Sequence, residues 1–147
     1  MAAAQKLAEA VAEAMYARDF AAQALGIVIE TVGPGTSRLA MTVRPDMVNG
    51  HDMCHGGMIF TLADTALAYA CNSYNQVAVA QTAQITFCAP GRKGDRLVAV
   101  AEERHQAGRT GVYDVRVTDP AGKTIALFRG NSYRLQGTVV PEPAAAG

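Results

Sequence analysis

From Asn49 to Asp64 the chain reads Asn-Gly-His-Asp-Met-Cys-His-Gly-Gly-Met-Ile-Phe-Thr-Leu-Ala-Asp, which sets two imidazoles, a thiol, two carboxylates and a glycine pair around the start of an apolar run. Two chemistries use such residues. In the first, His51 and His55 stand four apart, the spacing of the two zinc ligands on a metallopeptidase helix, with Asp52 where that motif carries Glu. Asn49-Gly50 before the pair and Gly56-Gly57 after it leave only about five residues to be helical, and without a helix the imidazoles need not share a face. No further His lies nearby and the other carboxylates are distant, so no metal is expected.

The second chemistry belongs to the glycines and Asp64. The first N–H groups of a helix have no partners within it and carry the positive end of its dipole, so a helix starting at Gly56-Gly57 offers donors to a developing oxyanion. Glycine lets a ligand carbonyl come close to those donors; the plainer alternative is a tight turn into the helix, capped by His55 or a neighbour. Asp64 sits in the apolar run, where an ionised carboxylate is costly unless paired, hydrogen-bonded or open to water. It is either a structural group bonded to backbone or a nearby Thr, or a functional one. If Gly56 holds a carbonyl on which Asp64 acts, one chain does not suffice: eight helical residues span about 12 Å, whereas a general base works at about 3 Å, directly or through one water. A two-fold dimer that sets the start of one helix opposite the middle of the other removes the difficulty, so a site shared between subunits is expected.

These groups need elements to hold them. Residues 57–74 are apolar on nearly every side, with Thr61, Asp64 and Thr65 on one narrow face, which predicts a buried helix. Before it, Ala-rich residues 2–24 carry Leu7, Val11 and Met15 four apart and predict an amphipathic helix. Leu25, Ile27 and Ile29 then alternate, as do Leu39, Met41 and Val43, across a Gly33-Pro-Gly35 turn, and predict a β-hairpin. After the apolar helix come four strand-like runs, at 77–88, 97–105, 110–118 and 124–134, separated by turn signals and read as an antiparallel meander. One apolar helix beside about six strands makes an α+β domain whose curved sheet covers the helix. The expected organisation is an N-terminal helix at 1–24, one domain at 25–140 and a disordered tail at 141–147.

Composition narrows the function. Thirteen basic side chains balance thirteen acidic ones, without a polybasic tract, so nucleic acid is not an expected partner. Asp64 interrupts the best apolar stretch before it reaches the roughly 18 residues of a membrane span, so no membrane association is expected. Three cysteines without CxxC spacing, and no basic-then-apolar leader, point to free thiols in a reducing cytoplasm. Cys71 and Cys88 lie in apolar runs and are expected in the core; Cys54, beside His55, keeps the better claim to reactivity. No phosphate-binding glycine loop occurs, and Ser132 lacks the closing glycine of a nucleophile elbow.

The pattern Asn49-x(5)-His55-Gly-Gly-x-x-Phe60-x-Leu-Ala-Asp64-x-Ala-x-Ala resembles the hotdog-fold acyl-CoA thioesterases. Residues 105–114 and 126–130 are similar to the branch of that family serving phenylacetic acid degradation, and the resemblance runs from about residue 10 to 140. It implies a hotdog fold, a long central helix wrapped by a five- or six-stranded antiparallel sheet, here with an extra N-terminal helix. It implies a homodimer with shared active sites, paired again as a dimer of dimers. The implied reaction is hydrolysis of (hydroxy)phenylacetyl-CoA-type thioesters to acid and coenzyme A, with no cofactor, since coenzyme A is part of the substrate.

By the same resemblance Asp64 is the catalytic carboxylate, as general base or as nucleophile, and Gly56 supplies the oxyanion N–H. Asn49 and His55 shape the thioester pocket from the subunit opposite. Gly57 and Thr65 flank these positions as substrate contacts. In some relatives a Ser or Thr at the start of the next strand assists, where this chain has Gln81 and Thr82. Arg92, Lys93 and Arg109, with Thr110, are candidates to meet the coenzyme A phosphates, and Phe60, Tyr69 and Tyr74 are candidate acyl-pocket aromatics. The alternatives are a hotdog hydratase or dehydratase using His55 for acid-base work, and a non-catalytic acyl-CoA binding module.

Overall fold

A computed structural model describes residues 2–142. The N-terminal segment is two helices rather than one, α1 (Ala2–Tyr16) and α2 (Phe20–Ala24). Asp19 makes the break: its Oδ1 accepts a hydrogen bond from the Ala22 N–H at 3.1 Å as the N-cap of α2, and a short acidic side chain favours that capping geometry over a helix interior. Oδ2 of the same residue accepts from the Tyr69 hydroxyl at 3.2 Å, tying the break to the central helix. Ala8, Val11 and Ala12 turn their side chains inward.

Strands β1 (Val28–Gly33) and β2 (Thr36–Thr42) form the expected hairpin. A short 3-10 turn (Pro45–Met47) and an irregular loop lead to α3 (Gly56–Cys71). Leu62, Ala63, Ala66, Leu67 and Ala70 of α3 are almost wholly buried, as an all-round apolar sequence requires. Strands β3 (Ala78–Phe87), β4 (Arg96–Ala107), β5 (Thr110–Thr118) and β6 (Thr124–Arg134) complete one six-stranded antiparallel sheet that curves around α3.

The strand order, β1-β2-β4-β5-β6-β3, corrects the meander. Only β4, β5 and β6 follow one another; β3 pairs with β6 at the far edge, and β2 takes the place beside β4. Residues 88–95 are therefore a crossing over one end of the sheet rather than a hairpin turn. Alternation tells which face a residue occupies but not which strand lies beside it, so turn chemistry alone suggested the wrong neighbour. The crossing is anchored where it passes the loop before α3, by the Cys54 N–H donating to the Gly91 carbonyl at 2.8 Å.

Helix and sheet meet closely at Gly130. A Cβ built there would stand 2.5 Å from a methyl of Leu67, so only glycine allows α3 to seat at this point. Tyr113 is fully buried and donates its hydroxyl to Glu103 at 3.0 Å, while Asp114 on the outer face accepts from Arg104 and Arg129. Among the described residues no helix is long and apolar enough to cross a membrane. Of the expected tail, residues 143–147 lie outside the described residues.

Candidate active site

The loop before α3 is built on Asn49. Its side-chain Oδ1 accepts hydrogen bonds from the backbone N–H groups of His51 (2.9 Å) and Met53 (3.2 Å), and its own N–H donates to the Met53 carbonyl at 2.7 Å. Asp52 adopts a left-handed φ of 60°, so residues 51–54 form a bend and not a helix. The zinc-helix reading fails on that geometry, because the two imidazoles are not one turn apart on a common face.

His55 is the N-cap of α3. Its Nδ1 accepts from the Gly57 N–H at 3.0 Å, and its own N–H donates to the Met47 carbonyl at 2.7 Å. With Nδ1 used as an acceptor the neutral ring carries its hydrogen on Nε2, which can then donate a hydrogen bond but cannot act as a base.

Capping uses the Gly57 N–H and leaves that of Gly56 free. Among the described residues the Gly56 N–H donates to no acceptor, and the Asn49 Nδ2 likewise donates to none, its Oδ1 being the atom that holds the loop. Asn49 and Gly56 line one cleft of about 410 Å³, with Cys54, Phe87, Cys88 and Gly91. The Phe87 ring lies against Gly56 so closely that an added Cβ would meet it at 3.0 Å. Two residues with unpaired N–H donors thus line one cavity at the positive end of a helix, the kind of groups that hold a carbonyl oxygen as it gains charge.

Asp64 lies two turns further along α3 and opens into a different cleft. That cavity, about 400 Å³, is lined by Met15 of α1, Leu67, Ala68 and Asn72 of α3 and its C-cap, residues 77–80 and Val139. The structural explanation of Asp64 does not hold. Thr61 and Thr65 donate instead to the backbone carbonyls one turn back, at 2.9 and 2.6 Å, and among the described residues the Asp64 carboxylate accepts no hydrogen bond. Burial without a compensating donor pushes its pKa above the ordinary carboxylate value. Such a carboxylate is a stronger proton acceptor than one in water.

The remaining candidates divide between the two ends of the sheet. Arg92 and Lys93 are exposed on the crossing, at the end that holds Gly56. Arg109 and Thr110 lie at the opposite end, where the Arg109 carbonyl accepts from the Arg134 N–H at 2.7 Å and Thr110 pairs with Tyr133. Gln81 is the extra residue where the pairing of β3 with β6 shifts, and the Thr82 hydroxyl donates to the Asn131 side chain at 2.8 Å.

The three aromatics do not line the Asp64 cleft. Tyr69 is core, Tyr74 donates to Glu103 at 3.1 Å, and Phe60 packs edge-on against Phe128 with centroids 5.4 Å apart. Cys88 is exposed rather than buried, one residue past the end of edge strand β3. Cys54 is buried and its thiol is pushed up to about 11, so it stays protonated at neutral pH and is a poor nucleophile. Sequence patterning missed the termini: Met15 and Val139 reach the Asp64 cleft through long-range packing that no local pattern encodes.

Residues 51–126 match the family described as Thioesterase superfamily. The chain belongs to that superfamily, as a thioester hydrolase of the hotdog fold. Over 131 residues it is 51% identical to acyl-coenzyme A thioesterase PaaI of Escherichia coli K12, covering 89% of this chain and 94% of that protein. The solved structure of the E. coli PaaI protein from the phenylacetic acid degradation operon superposes with a TM-score of 0.90 at 50% identity, over 91% of this chain and 97% of that one. A mutant of the phenylacetic acid degradation protein PaaI from Thermus thermophilus gives 0.77 at 37% identity, over 80% and 100%. The structure of smu.793 from Streptococcus mutans UA159 bound to acetyl CoA gives 0.73 at 25%, over 76% and 90%.

Proposed function

We propose that this chain hydrolyses arylacetyl-CoA thioesters in a site completed by two subunits. The observation that carries the reading is the separation of unpaired donors and unpaired acceptor. Gly56 and Asn49, with their unpaired N–H groups, line one cleft and Asp64 lines another, and hydrolysis needs both around one carbonyl carbon.

Strand β3 supplies the means of joining them. It is an edge strand of ten residues, exposed along nearly its whole length, with Val79 and Phe87 46% and 51% exposed, and such an edge is a template for pairing with another chain. Residues 78–80 line the Asp64 cleft and Phe87 lines the Gly56 cleft. Antiparallel pairing of two β3 strands about a two-fold axis near their middle sets the start of one against the end of the other, and so sets Asp64 against the Gly56 and Asn49 of the partner subunit. The same operation brings the end carrying Arg109 toward the partner's end carrying Arg92 and Lys93, where the coenzyme A phosphates need cations.

In that site the carbonyl oxygen accepts hydrogen bonds from Gly56 N–H and Asn49 Nδ2. Asp64 takes a proton from water as the water oxygen attacks the carbonyl carbon; the tetrahedral intermediate collapses, the C–S bond breaks, and the proton passes to the coenzyme A thiolate. The route in which Asp64 attacks directly yields a mixed anhydride and the same products; ¹⁸O from water found in Asp64 after a single turnover would mark that route, with water attacking the aspartyl carbonyl of the anhydride. His55, with Nδ1 engaged by Gly57, keeps the helix start in place, which disfavours the hydratase reading that needs it as a base. The arylacetyl preference rests on the similarity to proteins of phenylacetic acid degradation. The dimer-of-dimers assembly and a cytoplasmic location belong to the same proposal.

Mixed subunits test the shared site. Asp64→Asn and Asn49→Asp chains should each be nearly inactive alone, and after joint refolding should recover roughly a quarter of wild-type thiol release, since half of the dimers are mixed and each carries one intact site. No recovery, with mixed dimers verified by mass, would place the whole reaction within one chain and sink the proposal.

A further inference from the structure

The lining of the Asp64 cleft includes Met15 of α1 and Val139 of the segment after β6, and one buried side chain holds that segment there. Asn75 lies in the connection between α3 and β3, with a left-handed φ of 63° and only 5% exposure. Its Oδ1 accepts from the backbone N–H groups of Val139 (3.0 Å) and Val140 (2.9 Å), and its Nδ2 donates to the Val140 carbonyl at 3.1 Å. The amide thus substitutes for a neighbouring strand. Leu135 N–H donating to the Val77 carbonyl (2.7 Å), and Val77 N–H donating to the Gly137 carbonyl (3.2 Å), continue the seam. Asparagine suits the position because it tolerates left-handed backbone and supplies donor and acceptor together.

The effect of the seam is to lay Val139 on the Asp64 cleft, across from Met15 of α1. The rest of the wall is aliphatic and small, with Ala68, Ala78 and Ala80 leaving the space. Asn72, the other polar residue there, commits its amide to the Ala68 and Ala78 carbonyls and the Ala78 N–H, so it has little left for a ligand. Apart from Asp64, the side chains this chain contributes to the cleft are apolar or already hydrogen-bonded, so they favour an apolar acyl group over a polar one.

We propose that Val139, held by the Asn75 clamp, and Met15 set the size of acyl group that the Asp64 cleft admits. The inference rests on the thioesterase reading of Asp64 and adds the residues that select the substrate. Sizes between small and large hydrophobes change discrimination steeply, since one methylene is worth roughly 10- to 200-fold in a fitted pocket.

The test measures kcat and KM for thiol release over acetyl-, butyryl-, phenylacetyl- and decanoyl-CoA. Val139→Phe should lower the phenylacetyl-to-acetyl ratio of kcat/KM by about tenfold or more, and Met15→Trp should lower it in the same direction. Val139→Ala should raise the decanoyl-to-phenylacetyl ratio. Asn75→Gly keeps the left-handed backbone without the clamp and should flatten the profile, whereas Asn75→Asp, which retains the acceptor for both N–H groups, should stay nearer wild type. Ratios unmoved within twofold in both Val139 variants, with wild-type turnover intact, would overturn the inference and leave the hydrolase reading standing. A wild-type protein that releases thiol from none of the four substrates would overturn the hydrolase reading itself.

Discussion

The start and the middle of α3 are two turns apart on one helix and solve opposite problems. At Gly56 a loop organised by the Asn49 side chain leads in, and both residues line one cavity, where the Gly56 N–H and Asn49 Nδ2 make no hydrogen bond among the described residues. At Asp64 the surrounding side chains are mostly aliphatic, and among the described residues the carboxylate accepts no hydrogen bond. An unpaired donor costs little at an open helix end, where water can serve it. An unpaired carboxylate among aliphatic side chains costs more. That difference indicates what each end is kept for: the first can wait for an oxygen, whereas the second holds its base at a raised pKa at the expense of stability.

The comparison is broken most severely by removing the acceptor. Asp64→Asn keeps shape and volume but cannot take a proton or attack a carbonyl, so thiol release should fall about 10²- to 10⁴-fold with KM little changed. Full turnover in the variant, measured against a blank lacking enzyme, would refute a catalytic Asp64. At the other end, Asn49→Asp preserves the acceptor that orders the loop while removing the Nδ2 donor and adding charge beside the carbonyl. A loss of about 10²- to 10³-fold in kcat is expected, with circular dichroism unchanged. Should KM alone rise, Asn49 binds the ground state and has no special hold on the transition state.

How far the sequence reveals this molecule differs between these same regions. The buried helix, the glycine start and the odd position of Asp64 are local facts of periodicity and residue type, so they are readable before any coordinates. The order of strands is not: β3 lies beside β6 because of packing across the helix, and Cys88, just past the end of that edge strand, is exposed. Phe60, Tyr69 and Tyr74 look like pocket material by type, but each is committed elsewhere by a contact remote in sequence. Met15 and Val139 carry no local mark, since their place in the cleft depends on Asp19 breaking the first helix and Asn75 holding the last segment. Residues 105–114 and 126–130, distinctive as sequence, are explained by Tyr113, the Asp114 ion pairs and the tight seat at Gly130, all of which serve the fold.

The smallest expected effect concerns stability, and it separates the two ends of α3 without measuring turnover. Burial raises the folded-state pKa of Asp64 above its unfolded value, so the native state binds that proton more tightly than the unfolded chain does. Stability from this group is therefore gained as pH falls through the folded pKa and is at its worst above it, where the buried carboxylate is charged. Asp64→Asn should raise Tm at neutral pH by a few degrees at most, and the gain should shrink as pH is lowered and vanish below the unfolded carboxylate range, near about 4. The same raised pKa should place the acid limb of kcat/KM above the ordinary carboxylate range, since the carboxylate acts only when ionised. Gly56→Ala, by contrast, involves no titrating group: the half-exposed Phe87 ring must give by a few tenths of an ångström, and whatever change in Tm follows should be the same at every pH. A pH-independent gain in Asp64→Asn would mean that packing and not charge is what the native carboxylate costs, and the distinction between a base held under strain and a donor left waiting would lose its physical basis.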